Sequence, residues 1–302
     1  MFNVSVDTPS GGSGPAASPH GSATPPAGNP GAAIGDTTAS TPEAARHPHG
    51  TTRPSGTASG HGLRAATRTV GRHLWQRLRG HRPPPLTVRV DFGDFERIQP
   101  VSADFGYDRG TPIDRHYIER FLERHQADIR GRVLEVGDDS YSRQFGGSRI
   151  TQQDVLHVSA SNPAATIVGN LADVDLLPEG AFDCLVLTQT LHLVFDMPAA
   201  VRSMHRALKP GGVALVTVPG LSPIDRGEWR HTWYWFLTRY SAARLFEDVF
   251  GAAQVEVQTH GNAHVTTAFI QGVALEEIEP AKLDPVDETL ALLVTVVARK
   301  AG

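Results

Sequence analysis

Cysteine occurs once in 302 residues, as Cys184, so no internal disulfide can form. The chain must hold its fold by packing, and such cysteine usage fits a reducing cytoplasm. No apolar run approaches the roughly twenty residues of a membrane helix. The longest, Leu290 to Ala298, is broken by Thr295. The N-terminus lacks the apolar stretch of a secretory signal. Lysine is scarce, with three against 25 arginines. No Cys/His spacing suggests a metal site, no Gly-Lys-Ser/Thr phosphate loop occurs, and no Gly-x-Gly-x-x-Gly run follows the first apolar strand. The last absence argues against a nicotinamide-dependent oxidoreductase.

Charge is unevenly placed. Residues 1–90 carry nine arginines and three acidic residues, while the remainder carries 19 basic and 29 acidic residues. An acidic folded part argues against a nucleic-acid-binding core. Residues 1–61 are rich in Pro, Gly, Ala, Ser and Thr with no apolar periodicity, and are expected to be a disordered tail. Residues 62–87 form a basic arm. Val70, Leu74 and Leu78 recur at helical spacing among six arginines, and Pro83-Pro84-Pro85 ends the pattern. Such an arm suits a loose dock on the domain or weak contact with a membrane surface. The folded domain is expected over 88–302.

Within it, apolar strands alternate with amphipathic helices. Thr111-Pro112 opens a predicted helix with Thr111 as N-cap and Ile113, Tyr117 and Phe121 facing inward. Strands are predicted at Arg132–Val136, Val155–Val158, Phe182–Thr188, Val213–Val218, Val255–Val257 and Leu290–Arg299, with another near Thr166–Val168. Helices are predicted over Met197–Leu208, from an N-cap at Ser241 to Phe250, and around Ala263–Ile278. This alternation predicts a Rossmann-like, doubly wound α/β sheet of seven strands, mostly parallel with an antiparallel last strand and helices on both faces. A ligand then sits outside the carboxyl ends of the central strands.

Four segments converge there. Glu135-Val136-Gly137-Asp138-Asp139 ends the first strand. Val155-Leu156-His157-Val158-Ser159 ends the second, and Gly169-Asn170-Leu171 follows the third. Phe182-Asp183-Cys184-Leu185-Val186-Leu187-Thr188-Gln189-Thr190-Leu191-His192 spans the fourth. Leu208-Lys209-Pro210-Gly211-Gly212 then leads into the fifth. Together they resemble the class I S-adenosylmethionine-dependent methyltransferases of the type-11 family, over roughly residues 90–300. Arg109-Gly110-Thr111-Pro112-Ile113-Asp114-Arg115 and Asp154-Val155-Leu156-His157-Val158 are similar to a bacterial branch thought to act on sugars or glycans.

The resemblance implies S-adenosylmethionine as cofactor. It implies that Glu135 faces the methionine amino group and that Gly137, Asp138 and Asp139 line methionine and ribose. Ser159 stands where a ribose-binding carboxylate is usual. Asn170 stands where an adenine-binding aspartate is usual, and Leu171 packs on the ring. Thr188 and Gln189 complete the expected cofactor set. Two of the three motif glycines are replaced, by Asp139 and Tyr141. The acceptor is expected to be a small molecule or glycan, methylated at oxygen, with His192 as first candidate base and His231 and Tyr234 as the others. The last two belong to Trp229–Phe236, an aromatic segment holding three of the four tryptophans. The alternative is a catalytically inactive binding or scaffolding protein of the same fold.

Overall fold

The computed structural model describes residues 90–302. The expected tail and arm, and residues 88 and 89, lie outside the described residues. From Phe92 onward the chain forms one unit.

Its centre is a seven-stranded sheet in the order β3-β2-β1-β4-β5-β7-β6. The strands are β1 (Gly131–Val136), β2 (Ile150–His157), β3 (Ile167–Val168), β4 (Phe182–Thr188), β5 (Leu208–Pro219), β6 (Val255–His260) and β7 (Leu293–Arg299). The first five are parallel, while β7 runs antiparallel to both β5 and β6. The helices are α1 (Ile113–Arg124), α2 (Ser140–Gly146), α3 (Met197–Ala207), α4 (Arg239–Phe250) and α5 (Ala263–Gln271).

The strands are apolar on both faces because both faces are covered. Alternate residues point to opposite layers. Leu134, Leu185, Leu187 and Val216 join α3 and α4 in one buried cluster through Met204, Ala207, Phe246 and Phe250. Val133, Cys184, Val186 and Leu215 join α1 and α5 in the other, through Ile113, Ile118, Phe121 and Phe269.

Several element ends differ from their sequence expectation, each for a local reason. Thr111 does not cap α1; Pro112 holds that position, without a side-chain cap. Thr111 instead donates its hydroxyl and amide to the Glu276 carboxylate, at 2.7 and 2.9 Å. Ser241 is the third residue of α4, not its cap. Thr238 is the cap, and the two form a reciprocal capping box. Strand β2 begins at Ile150, before its apolar part, because pairing with β1 and not burial orders Thr151 to Gln153. The connection after β6 is α-helical only to Gln271, where Gly272 turns left-handed at φ 71°, and a single 3-10 turn at Leu275–Glu277 follows. There a Cβ would lie 2.5 Å from the Ser102 carbonyl oxygen, so glycine alone fits.

At the amino end of the central strands, Asp183 joins three elements. Its carboxylate accepts from the Arg132 amide of β1 at 2.7 Å and from Lys209 of β5 at 2.6 Å. The opposite end of the strands carries the cavity.

Candidate active site

Strand β1 is flanked by β2 on one side and β4 on the other, so chain connections leave it in opposite directions. The crevice this creates lies at the carboxyl tips of the strands. A cavity of about 290 Å³ occupies it. It runs from the β3 loop, with Asn170 and Leu171, past the β1 tip, with Glu135, Gly137 and Asp138, to the β4 tip, with Thr188 and Gln189. Trp229, Thr232 and Tyr234 line it from the segment after β5.

The β1 loop is held open by its own hydrogen bonds. Gly137 has φ 98°, a left-handed value that glycine tolerates. Its amide donates to the Leu156 carbonyl at 2.9 Å, and its carbonyl accepts from Asn162 Nδ2 at 2.6 Å. Glu135 is 2 % exposed. Its carboxylate accepts from the Ser142 amide at 2.7 Å, the Ser142 hydroxyl at 2.5 Å and the Tyr141 amide at 3.3 Å. It thus ties the first turn of α2 to β1. Burial nevertheless pushes its pKa up to about 8, against the opposing Ser142 hydrogen bonds. Asp138 accepts from the Ser140 amide at 2.8 Å, which shapes the turn into α2.

Not every expected residue reaches this cavity. Asp139 precedes α2 and pairs with Arg143 at 2.5 Å, outside the lining. Ser159 is exposed beyond the β2 tip, where its hydroxyl accepts from the Ser161 amide at 3.2 Å. The residues before it, His157 and Val158, line the cavity instead. Asn170 lines it while accepting from the Ala172 amide at 3.0 Å. Among the three candidate bases, Tyr234 lines the cavity, His231 is exposed outside it, and His192 is 1 % exposed beneath Trp233. Burial lowers the His192 pKa to about 3, so its imidazole is neutral.

Arg115 ends the Arg109–Arg115 motif but is not among the expected site residues. It is 7 % exposed on α1 and lines the cavity. Its guanidinium donates to Tyr107 at 2.9 Å and to Tyr141 at 3.1 Å. Burial works against the charge, but Asp114 and the two phenols outweigh it and raise the pKa. The charge is therefore permanent. Tyr141 occupies the place of a motif glycine, so the departure from the motif has a use: its hydroxyl accepts from Arg115 and holds it at the cavity wall. An arginine inside a helix carries no such signal; only the packing of α1 beside β1 reveals it.

The aromatic segment divides by facing. Trp229 and Tyr234 line the cavity, whereas Trp233 turns away to stack on Phe105, with ring centroids 5.9 Å apart. The segment is tied to the end of β4 by the Tyr234 amide, which donates to the His192 carbonyl at 3.2 Å.

A family model described as a methyltransferase domain matches residues 104–257, just over half of the chain. The mouse (Mus musculus) mitochondrial arginine-hydroxylase NDUFAF5 is 27% identical over 170 residues, covering 53% of this chain and 43% of its own. The ubiquinone/menaquinone biosynthesis C-methyltransferase UbiE of Haemophilus ducreyi is 34% identical over 109 residues, 33% of this chain and 34% of that protein. The chain therefore spans less than half the length of either relative. A solved methyltransferase structure from Archaeoglobus fulgidus aligns over 62% of this chain and 94% of its own, at 9% identity and a TM-score of 0.42. Among the described residues no helix is long and apolar enough to cross a membrane. With the family model running from the residues before α1 into β6, over half of the chain, the chain belongs to the methyltransferase-domain family, the class I S-adenosylmethionine-dependent methyltransferases.

Proposed function

We propose that this chain transfers the methyl group of S-adenosylmethionine to the hydroxyl oxygen of a small, uncharged acceptor, with sugars and glycans as the first class to test. One observation carries the reading: a single cavity joins the Gly137 loop, the buried side chains of Arg115 and Glu135, and an aromatic wall. An amino-acid moiety needs one cation and one anion at its carboxylate and ammonium: Arg115 provides the cation, and Glu135, which burial keeps protonated in the free protein, provides the anion by giving up its proton as the ammonium binds. Asn170 and Leu171 then take the adenine end, and His157 and Val158 flank the ribose. The β4 tip and the aromatic segment take the methyl end.

Bound there, the cofactor supplies a methyl on a sulfonium, whose sulfur leaves as a neutral thioether. The chain has no large new charge to stabilise, so its work is alignment and exclusion of water. Trp229 and Tyr234 close that end, and aromatic faces suit a sugar ring. The acceptor hydroxyl must lose its proton as the carbon–oxygen bond forms. Tyr234 is the expected base that shares the cavity, and this reading gives it the acceptor contact.

The alternative is a binding protein that keeps the fold without the reaction. The exposed position of Ser159 favours it, because no carboxylate follows β2 to grip the ribose diol. Calorimetry with S-adenosylmethionine and S-adenosylhomocysteine separates the two, with Gly137→Arg as control. The enzyme reading expects micromolar binding that the substitution abolishes. A folded protein that binds neither ligand at millimolar concentration would leave the scaffold.

A further inference from the structure

The Arg109–Arg115 heptapeptide does more than start a helix. Its first half clamps the chain to the segment after α5. Arg109 pairs with Glu277, and Thr111 bonds Glu276. Its second half delivers Asp114 and Arg115, both buried, to the wall behind the cavity. Arg115 has a place in the cofactor reading. Asp114 faces that charge, with Oδ1 4.0 Å from Arg115 Nε, and its other oxygen reaches a second residue.

Asp114 is 3 % exposed and accepts at Oδ2 from Gln189 Nε2 at 3.1 Å. That bond settles which way the Gln189 amide faces. A buried carboxylate accepts and cannot donate, so the NH2 group must turn toward it. The carbonyl, Oε1, is left as the other end of the amide. Oε1 is buried and has no hydrogen-bond partner; Asp114 Oδ1, also without one, has the Arg115 charge beside it. A buried acceptor without a donor is costly, at about 1–3 kcal/mol, and such atoms call for a specific reason.

Gln189 is also held against its own preference. It is one of two non-glycine residues with positive φ among the described residues, at 48°. Its backbone N–H donates to the Thr217 carbonyl at 3.0 Å and the Thr217 hydroxyl at 3.2 Å, which pins it across β4 and β5. A backbone strained in this way persists where its surroundings over-determine it, and such residues cluster at functional sites. Gln189 lines the cavity at the β4 tip, beside Thr190 and Leu193.

We propose that Gln189 Oε1, oriented by Asp114, is the acceptor-recognition atom of this site, and that it selects a group bearing an O–H or N–H. The inference rests on the methyl-transfer reading and deepens it. It gives the acceptor a donor group as well as a shape: a hydroxyl or amine meets a hydrogen-bond acceptor there, and a group without O–H or N–H meets none. Gln189 touches the acceptor; Asp114 is a positioning residue that acts through it.

Sinefungin tests this without knowledge of the natural acceptor. It carries an amino-bearing carbon where the cofactor has its methyl sulfonium, so its ammonium projects toward the β4 tip. S-adenosylhomocysteine has no donor there. The quantity read is the ratio of their dissociation constants by calorimetry, in which a general loss of cofactor affinity cancels. In the full chain sinefungin is expected to bind about tenfold or more tightly than S-adenosylhomocysteine, as a charge-assisted hydrogen bond implies. The ratio should fall toward one in Gln189→Met, and fall partway in Asp114→Asn, which releases the amide orientation. Far-ultraviolet circular dichroism checks that each variant folds. A wild-type ratio near one, or a ratio unchanged in either folded variant, overturns the proposal while leaving the cofactor reading intact. No binding of S-adenosylhomocysteine to folded wild type overturns both.

Discussion

The imidazole of His192 lies 4.3 Å, centroid to centroid, from the indole of Trp233. Neither ring nitrogen of the histidine nor Nε1 of the tryptophan has a hydrogen-bond partner. The pair seals the floor beneath the aromatic segment. A histidine expected to move protons is therefore a neutral wedge in the fold, and its consequence is a pH dependence.

His192 titrates near 3 when folded, against 6.5 for an unperturbed histidine. Between those values the unfolded chain binds the extra proton, so stability falls as pH drops below 6.5. This group contributes a slope of up to about 1.4 kcal/mol per pH unit. His260, lowered by burial to about 4, adds to it. Urea denaturation at pH 7 and pH 5 should show His192→Phe losing about one proton's worth of the wild-type slope. Equal slopes would show that the imidazole is not sealed.

Removing the seal itself has a direct cost. Trp233→Ala deletes the ring packed on both Phe105 and His192. A loss of about 3 kcal/mol is expected from the cavity left behind. In the same variant the His192 pKa should rise toward the ordinary range as water reaches the ring, which nuclear magnetic resonance titration reads directly.

Glu135 behaves in the opposite sense. Its folded pKa of about 8 lies above the ordinary 4.5, so the folded state holds a proton that the unfolded chain gives up between those values. Its contribution to stability is present below 4.5 and lost as pH rises through 8. A ligand ammonium placed beside it favours the carboxylate, so S-adenosylhomocysteine should release close to one proton from this group at pH 7. Calorimetry in buffers of different ionisation enthalpy measures this. The release from Glu135 should be absent in Glu135→Gln, and identical proton counts in both proteins would contradict it.

Arg115 is assigned to the cofactor's carboxylate, and ligand truncation tests that assignment. Arg115→Met should weaken S-adenosylhomocysteine by roughly 10- to 100-fold, the worth of a charged hydrogen bond. It should leave 5′-methylthioadenosine, which lacks the amino-acid portion, nearly unchanged. An equal loss for both ligands would mean that the arginine acts only through the fold.

Asp183 offers the converse, a change in stability away from the cavity. Asp183→Ala leaves the Arg132 amide and Lys209 without their shared partner at the amino end of the sheet. A cost of about 2 kcal/mol is expected, with S-adenosylhomocysteine affinity within threefold of wild type. A large loss of affinity would show that the strand ends are coupled along their length.

The fold was legible because it rests on local regularities. Apolar strands such as Phe182–Thr188 and helices such as Met197–Ala207 announce themselves by period and by the turn residues around them. The order of those elements leaves few topologies, and the Gly137 loop marks where the crevice opens. So the sequence by itself determined the parallel sheet, its antiparallel last strand, and the strand tips that line the cavity, including Glu135, Gly137, Asn170 and Gln189. Facing and long-range partnership were decided only in three dimensions. Nothing local tells that Trp233 turns inward while Tyr234 lines the cavity, or that Ser159 falls past the β2 tip. Nor does anything local show that Asp114 meets Gln189 across 75 residues of chain. Those outcomes depend on which helix packs against which strand, and a side chain's burial, charge state and partners follow from that packing.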